Sequence, residues 1–258
     1  MTQPMGRRGW LKGALASAAG LVLAACDRIN ADPRATAVLQ SAERLTRRAQ
    51  RLVSDRNALA REFAPADISR DFRANGSIRP ADPDYVAHTA AGFADWRLVI
   101  DGLVERPLSL TLEELRAQPA RTQITRHDCV EGWSSIGKWT GARLGPLLDR
   151  AGLKPGARYL VFHCADSLGP VGDPNSKYYE SIDLIDARHP QTILAYEMND
   201  APLPVPHGAP IRLRVERHLG YKHAKYVMRI EAVEDFAHLR GGRGGFWEDR
   251  GYEWYAGI

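Results

Sequence analysis

Two cysteines, Cys129 and Cys164, stand among residue types that commonly perform chemistry. Cys129 lies in the sequence TRHDCVEGWS and Cys164 in the sequence VFHCAD. Each lies at or just beyond the end of a predicted strand, and functional side chains often gather where regular elements end. Three chemistries are open for these thiols. They could form a disulfide, act as a nucleophile assisted by His127 or His163, or supply a soft thiolate ligand to a metal.

Motifs of several other chemistries are absent from the sequence. It contains no Gly-x-Gly-x-x-Gly after a strand, no phosphate-binding loop ending in Gly-Lys-Ser/Thr, no Cys-x-x-Cys-His and no paired Cys-x-x-Cys. His218 and His223 are five residues apart, but spacing places no third ligand for zinc beside them. Nicotinamide, nucleotide hydrolysis, c-type haem, iron–sulfur and zinc chemistry are therefore disfavoured.

The composition is that of a globular protein, with 44% hydrophobic and 26% charged residues. Residues 1–62 contain 11 Lys and Arg against 5 Asp and Glu, so the remaining residues carry a formal charge of −2. We expect no nucleic-acid partner, because that function needs cations gathered on a folded face. No apolar run reaches the ~18 to 20 residues that span a bilayer.

The first 26 residues predict an export signal. Arg7 and Arg8, followed by Trp-Leu-Lys, resemble a twin-arginine signal, which exports folded cargo and suggests a cofactor inserted in the cytoplasm. The sequence Leu-Ala-Ala-Cys ending at Cys26 resembles a bacterial lipobox, in which that cysteine becomes lipidated. Cleavage elsewhere is the alternative. Asp27 resembles an inner-membrane retention signal, so we expect a periplasmic lipoprotein on the outer face of the inner membrane.

An amphipathic helix is predicted next, with Asp32 as N-cap and Pro33 at its first position. This helix packs on the domain, holds the domain away from the membrane, or lies on anionic lipid. We predict a signal over residues 1–26, a linker with this helix over 27–66 and one folded domain over 67–258. Apolar residues recur at helical spacing at Val38, Ala42, Leu45, Ala49, Leu52, Leu59 and Phe63.

The folded domain is predicted to be α+β, with mixed sheets and short helices. Strands outnumber helices and the connections are irregular, which does not favour alternating βαβ units. The strands are expected, from their β-branched and aromatic content, over Trp96–Val104, Arg121–Arg126, Ala157–Ala165, Gln191–Met198, Ile211–Val215 and Lys225–Val233. Helices are expected after a capping box at Thr111 and over Leu144–Ala151 and Ile182–Arg188.

Four motifs together resemble the molybdopterin domain of the sulfite oxidase family. They are DGLVERP from Asp101, TRHDCVEGWSSIGKWTG from Thr125, HGAPIR from His207 and GYKHAK from Gly220, and they fall in the family order. The resemblance covers roughly residues 70–235 and implies the family's molybdopterin-binding fold. It is nearest to the bacterial exported branch, which includes the catalytic subunit of a periplasmic methionine sulfoxide reductase.

The resemblance implies a molybdenum atom bound by the two sulfurs of a single pyranopterin and by Cys129. A thiolate suits that role because it is a soft, anionic donor. The pterin phosphate requires cationic donors, for which Arg212 and Lys225 match the family positions. Strand alternation alone would instead place Arg212 and Arg214 on a solvated edge. The positions that match cofactor-binding residues are Arg73, Asn75, Cys164, His207, Arg212, His223, Ala224 and Lys225.

One departure from the family bears on the substrate. Plant and animal sulfite oxidases carry a Gly-Asn-Arg run after the ligand cysteine, whereas Val-Glu-Gly-Trp follows Cys129 here. A carboxylate at Glu131 repels sulfite, so we expect oxygen-atom transfer with a small neutral S-oxide or N-oxide. Sulfite oxidation stays an alternative. Arg126 or another remote arginine could attract the anion, or Arg126 could form an ion pair with Glu131 and so cancel the repulsion. Tyr178 and Tyr179 are expected to line the approach to the metal.

With no haem motif, electrons must be exchanged with another protein. The family implies a membrane b-type cytochrome as this partner. A lipid anchor would hold the enzyme close to the cytochrome and so raise the effective concentration of one for the other. The aromatic, glycine-rich segment 241–258 is expected to clasp the domain, and contact with the partner is the alternative. Two other classes stay open beside the molybdenum oxidoreductase. These are a cysteine hydrolase using Cys129 with His127 or His163, and a lipid-anchored binding protein without catalysis.

Overall fold

The structure is a computed structural model that describes residues 33–53, 55–170 and 173–258. The predicted export signal, the lipobox with Cys26 and the predicted N-cap Asp32 lie outside these residues. The chain divides into two compact units, Met1–Val53 and Ser54–Ile258. Within the described ranges, no helix combines the length and the apolar character needed to cross a bilayer.

The described part of the first unit is helix α1, which spans Pro33–Val53. It confirms the predicted helix, but it ends before Leu59 and Phe63, which were expected on its apolar face. The backbone turns at Asp55, whose carboxylate accepts from Asn57 N at 2.6 Å. Asp and Asn side chains compete with helical hydrogen bonds in this way.

The second unit begins before the predicted boundary at residue 67. Phe63 N donates to Ile124 O at 2.9 Å, and Glu62 forms an antiparallel bridge with Thr125. Phe63 therefore belongs to this unit.

The second unit is α+β, as the sequence predicts. Its strands are β1 Arg97–Gly102, β2 Leu108–Thr111, β3 Ala120–Asp128, β4 Ser134–Arg143, β5 Tyr159–Ser167, β6 Lys177–Asp183, β7 Ile193–Met198, β8 Ala201–Pro202, β9 Arg212–Arg214 and β10 Val227–Val233. Its α-helices are α2 Pro83–Ala90, α3 Leu112–Arg116, α4 Leu144–Ala151 and α5 Leu184–Ala187. Short 3-10 turns occur at Pro65–Asp67, Pro174–Ser176, Val205–His207, Gly220–Lys222 and Glu248–Arg250.

The strands form two sheets. One has the order β2-β1-β10-β5-β6, in which only β1 and β10 pair in parallel. The other has the order β3-β4-β7-β8, with β9 also pairing with β7. The largest apolar cluster includes inward residues of β1, β5 and β10 and the buried face of α4. Its fully buried members include Trp96, Leu98, Ile100, Leu147, Leu148, Val161, Phe162 and Ile230.

Strands β2, β4, β6 and β8 and helix α2 were not predicted. Strand β4 was missed because its sequence, SSIGKWTGAR, is rich in small residues that favour no strand by type. Gly141 there has a structural reason, since a Cβ atom would lie 2.3 Å from Leu194 O of β7. Strand β6 also takes the first residues of the predicted helix Ile182–Arg188, which begins only at Leu184.

Strand β9 lies inside the unit and not at a solvated edge. Its Arg212 pairs with Ala195 of β7 in the strand register, and both Arg212 and Arg214 are buried. The alternative in which these arginines form a solvated face is therefore wrong.

The C-terminal segment 241–258, called here the C-terminal strap, clasps the domain as predicted. Phe246 is buried and stacks on Tyr178 with ring centroids 5.7 Å apart. Trp254 packs edge-on against Tyr159 at 5.4 Å, and the backbone N–H of Leu219 donates to Ala256 O at 3.0 Å. Burial of terminal aromatic rings accounts for this docking.

Candidate active site

A cavity with about 690 Å³ of empty space opens beside Cys129. Its exposed lining residues, such as Val130 and Tyr252, mark the mouth, whereas buried residues such as Lys225 mark the floor. The lining comprises Asn75, Gly76, Ser77, Cys129, Val130, Glu131, Asp166, Leu168, Tyr178, Gly220, Tyr221, His223, Lys225, Trp247 and Tyr252. The structure thus brings together six of the predicted site residues, namely Asn75, Cys129, Glu131, Tyr178, His223 and Lys225.

A tight turn between β3 and β4 presents Cys129 to this cavity. Cys129 N donates to Trp133 O at 2.9 Å, and Gly132 N donates to Cys129 O at 3.0 Å. Gly132 has φ +86°, a conformation that favours glycine. Burial, reinforced by the Glu131 charge, raises the pKa of the Cys129 thiol, although a backbone hydrogen bond at Glu131 opposes this. A bound metal would displace the thiol proton.

The disulfide alternative is wrong, because Cys129 and Cys164 are both free thiols. Cys164 lies buried in β5, where its Sγ contacts Phe162 O at 3.8 Å. Burial also raises the pKa of Cys164 well above its usual value. This thiol therefore faces protein rather than the cavity.

The two histidines proposed as bases for a cysteine nucleophile have other partners. His127 Nδ1 lies 3.0 Å from Nη1 of Arg214, and His163 Nε2 lies 2.9 Å from a carboxylate oxygen of Glu231. Zinc is not supported either. Among the described residues, no group of three His, Cys, Asp or Glu side chains is placed to hold a metal ion.

Two buried cations lie side by side here, Lys225 in the lining of the cavity and Arg212 behind it. Arg212 donates to His207 O at 3.1 Å and to His223 O at 3.3 Å, while its Nε has no partner. Lys225 Nζ donates to the carbonyl oxygens of Asn75, Ser77 and Pro206. Burial and the neighbouring cations lower the pKa of Arg212 to about 9 and that of Lys225 to about 7.

The neighbouring Arg214 differs because its charge is balanced. Its Nη2 lies 2.5 Å from Glu216 Oε2, and both side chains are completely buried. In the described part of the chain, Arg212 and Lys225 have no such carboxylate within ion-pair distance; they donate to carbonyl oxygens and lie over the rings of Trp139 and Tyr226. Asp166 and Glu216 offset part of these charges, but neither forms an ion pair with Lys225 or Arg212, so an anion bound beside them would be favourable.

Three histidines surround these cations and are held neutral. Burial and the arginines lower the pKa of His127 and His223 well below the usual value and that of His207 to about 4. His127 accepts from Arg214 through Nδ1, so its proton is on Nε2, which is buried without a partner. Gly220 permits this placement, since a Cβ there would lie 2.5 Å from that Nε2.

Asp166 and the aromatic mouth were not predicted. Asp166 lines the cavity, its Oδ1 has no partner, and burial raises its pKa to about 7. Its signal was available in the VFHCAD sequence, which carries His163, Cys164 and Asp166 together. Trp247 and Tyr252 of the C-terminal strap stack at 5.2 Å beside the cavity. Their placement depends on tertiary docking that no local pattern shows.

Comparison with known families decides the class. The family model described as the oxidoreductase molybdopterin binding domain matches residues 86–238. The chain belongs to this family. This molybdopterin-binding oxidoreductase is therefore an enzyme of the sulfite oxidase type, as its motifs predicted, and the hydrolase and binding-protein alternatives are set aside.

Relatives of this oxidoreductase are named as methionine sulfoxide reductase subunits. A candidate protein-methionine-sulfoxide reductase subunit, YedZ1, of Azospira oryzae is 35% identical over 251 residues, which is 97% of this chain and 87% of the relative. The catalytic subunit MsrP of Xanthomonas campestris is 37% identical over 159 residues, 59% of this chain and 49% of its own length. MsrP of Campylobacter jejuni is 33% identical over 55% of this chain and 50% of its own.

The chain thus spans about half the length of the MsrP relatives. Among solved structures, the sulfane dehydrogenase SoxCD from Paracoccus pantotrophus is similar with a TM-score of 0.49 and 28% identity, covering 55% of this chain and 39% of its own.

The floor of the oxidoreductase's cavity fits a molybdopterin. The pterin phosphate is an anion, and Arg212 and Lys225, neither of which has a carboxylate within ion-pair distance among the described residues, would hold it. The unpartnered Arg212 Nε and His223 Nδ1 offer one donor and one acceptor to a bound group. Cys129 supplies the soft sulfur that would hold the molybdenum. The residues present therefore fit the group in charge and in donor type.

Some predicted residues lie behind or beside the cavity. Ala224 and Cys164 are buried, and Leu213 N donates to Ala224 O at 2.8 Å. The His207 ring packs edge-on against Phe72 at 5.7 Å. Tyr178 lines the cavity, whereas Tyr179 donates to Asp249 Oδ2 at 2.6 Å outside it. The structure does not place Tyr179 on the approach, because consecutive residues of β6 face opposite sides.

The charged groups at the mouth also differ from one expectation. Glu131 accepts from Trp133 Nε1 at 3.0 Å and lies 4.0 Å from Arg73 Nη2. Arg126 pairs instead with Asp128 at 2.8 Å. The proposed ion pair between Glu131 and Arg126 is therefore wrong, because Asp128, two residues along the same strand, holds the Arg126 guanidinium.

Proposed function

We propose that this oxidoreductase reduces a small neutral S-oxide of the methionine sulfoxide type, with N-oxides as related substrates. The relative that aligns with 97% of the chain is named as a subunit of a protein-methionine-sulfoxide reductase. The observation that carries the proposal is the lining of the cavity around Cys129, whose apolar and aromatic side chains match the alkyl groups of a thioether oxide.

Apolar and aromatic side chains predominate where the substrate enters. Val130, Leu168, Tyr221, Trp247 and Tyr252 line the cavity, and aromatic rings make favourable contacts with sulfur. An alkyl S-oxide carries apolar groups on both sides of its sulfur and no net charge. It would lose less hydration than an anion on entering such a mouth.

A sulfite ion would find a less suitable site. No arginine is among the described residues that line the cavity, and the one lysine, Lys225, donates to three carbonyl oxygens. Glu131 adds a negative charge beside Cys129. Sulfite oxidation is therefore the less favoured reading of this geometry.

The bound cofactor would supply two-electron oxygen-atom transfer. The overall reduction consumes an S-oxide, two electrons and two protons and yields a thioether and water. In this proposal, Cys129 holds the metal, and Arg212 and Lys225 hold the phosphate. Asp166 holds a proton on its carboxyl group inside the cavity, since its pKa of about 7 lies near the operating pH.

The same proposal includes the cellular setting and the details of the cofactor. The enzyme would carry a single pyranopterin, leave the cytoplasm by the twin-arginine route and remain anchored through Cys26 at the periplasmic face of the inner membrane. The sequence has no c-type haem motif, so a membrane b-type cytochrome would exchange electrons with it. The anchor would keep the two proteins close.

Steady-state kinetics test the proposal. The cofactor-loaded enzyme is assayed with a reduced artificial donor and either a methyl alkyl sulfoxide or an amine N-oxide, and with sulfite and an artificial acceptor. We expect kcat/KM for the S-oxide to exceed that for sulfite by about tenfold or more, a difference of roughly 1.4 kcal/mol in transition-state binding. Efficient sulfite oxidation with no S-oxide turnover would contradict it.

A further inference from the structure

Helix α1 (Pro33–Val53) presents an exposed apolar stripe. The side chains of Val38, Leu45 and Leu52 are 67%, 68% and 85% exposed. Ala42 and Ala49 fall between them and are exposed as well. The spacings alternate between four and three residues, so all five lie on one side of the helix. At 1.5 Å per residue the stripe runs about 21 Å along the axis.

The rest of α1 is strongly cationic. It contains five arginines and one acidic residue, Glu43. At about 100° per residue, Arg47 and Arg51 lie on the side away from the stripe, and Arg48 lies at its flank. An apolar stripe with an arginine-rich face on the other side is typical of helices that lie in a bilayer interface.

We infer that α1 binds the surface of an anionic phospholipid bilayer, with the stripe (Val38, Ala42, Leu45, Ala49 and Leu52) in the headgroup boundary, Arg48 beside it, and the other arginines attracted by the negative surface charge. The inference goes beyond the proposed reaction and needs no cofactor. Each juxtamembrane cation contributes about 1 kcal/mol at an anionic surface. The arginines and the stripe therefore act together on one face of a membrane.

The position of α1 in the chain agrees with this assignment. Cys26, the proposed lipid anchor, precedes Pro33 by seven residues, which span at most about 25 Å. Weak anchoring signals are effective in pairs, and a helix bound beside an acyl anchor is such a pair. A lipid surface would thus be within reach of the stripe.

Self-association through the stripe is less favourable than lipid binding. The same spacing would suit a coiled coil, but two of its five positions are alanines, which pack weakly at a two-helix seam. A second copy would also bring arginines against arginines, with Glu43 alone to offset them in each helix. Anionic lipid offers the opposite charge along the whole helix.

Vesicle binding tests the inference on the chain from residue 26 onward, loaded with cofactor and carrying Cys26→Ala to remove the acyl anchor. Sedimentation with vesicles of phosphatidylcholine and phosphatidylglycerol in equal parts is compared with pure phosphatidylcholine. We expect binding to the anionic vesicles at least about tenfold tighter, and weaker binding at high salt.

Two variants separate the stripe from the charges. Leu45→Ala with Leu52→Ala keeps helix propensity and removes apolar surface, and Arg47→Gln with Arg48→Gln removes charge; each should lower partitioning about tenfold. Val86→Ala, at an exposed apolar residue of the second unit, is the matched control and should bind like the parent.

Circular dichroism checks that the helix persists in each variant. Equal binding to both vesicle types, unchanged binding of the stripe variant, or a dimer that depends on Leu45 and Leu52 would overturn the inference.

Discussion

The guanidinium of Arg73 lies 4.0 Å from the carboxylate of Glu131 at the mouth of the cavity. The two side chains are 65% and 58% exposed, and Arg73 also lies over the Trp133 ring at 5.5 Å from its centroid. Exposed ion pairs of this length are weak because water screens them. The Glu131 carboxylate therefore still repels an anion that approaches Cys129, and Arg73 reduces this repulsion only in part.

Glu131→Gln should raise whatever sulfite oxidation exists and leave S-oxide reduction nearly unchanged. An anion approaching within about 4 to 6 Å of the carboxylate meets a repulsion of order 1 kcal/mol in a partly wet site, which corresponds to about fivefold in kcat/KM. Steady-state assays at several ionic strengths measure the effect, with exposed Glu113→Gln as the control. An equal rate of sulfite oxidation in wild type and Glu131→Gln would show that the Glu131 charge does not affect the approach of sulfite.

Cys129→Ser should abolish activity and alter the metal's spectrum, whereas Cys164→Ser should retain molybdenum. A neutral hydroxyl is a poor substitute for a thiolate donor, and Cys164 lies buried away from the cavity. Metal analysis and electron paramagnetic resonance compare the two variants. Loss of molybdenum from both, or a normal metal spectrum in Cys129→Ser, would contradict the assignment of Cys129 as the ligand.

Lys225→Ala and Arg212→Ala should lower cofactor occupancy more than they lower turnover per bound molybdenum. Their charges act on the phosphate, and removing one partner of a buried ionic contact typically costs several kcal/mol. Occupancy is measured as molybdenum and pterin per chain. Arg229→Ala is the control, because Arg229 pairs with Asp101 and Glu231 on another sheet face. Full occupancy with reduced turnover would assign these residues to the substrate instead.

The cofactor-free chain should lose stability as the pH falls from about 6.5 towards 4, partly through His207. Burial and the cation of Arg212 lower the pKa of His207 to about 4, so between these pH values the unfolded chain binds a proton that the folded chain does not. The free energy of unfolding is therefore unaffected by His207 above pH 6.5, the ordinary pKa of histidine, and decreases as the pH falls below that value. Thermal unfolding of wild type and His207→Asn between pH 7 and 5 should show a shallower pH dependence in the variant, and identical slopes would contradict this origin.

Features that depend on a short stretch of sequence could be predicted, whereas features that depend on how distant segments pack together could not. The strand end at Cys129 and the α+β class could be predicted because spacing and strand composition lie within short windows, whereas the role of Lys225 was predicted from the family motif. Trp247 and Tyr252 reach the cavity only after the C-terminal strap has folded back. Their roles could not be predicted, because no pattern in that segment states which surface it will cover.

Strand β4 and residue Tyr179 show the same limit on a smaller scale. Strand β4 is defined by pairing with both β3 and β7, so partners rather than its own residue types make it a strand. Tyr178 and Tyr179 could not be told apart without the register of β6, because one residue changes the face. By contrast, the buried Arg212 was predictable only through the family motif, since strand alternation pointed to solvent.

The most direct test of the account is the cofactor content of the protein matured in a host that makes molybdopterin. Arg212 and Lys225 together can bind one phosphate group, so we expect about one molybdenum and one pterin phosphate per chain. Elemental analysis and the fluorescence of the oxidised pterin measure both quantities on the same sample. Stoichiometric molybdenum with pterin would support the site described around Cys129, Arg212 and Lys225, and the absence of both would contradict it.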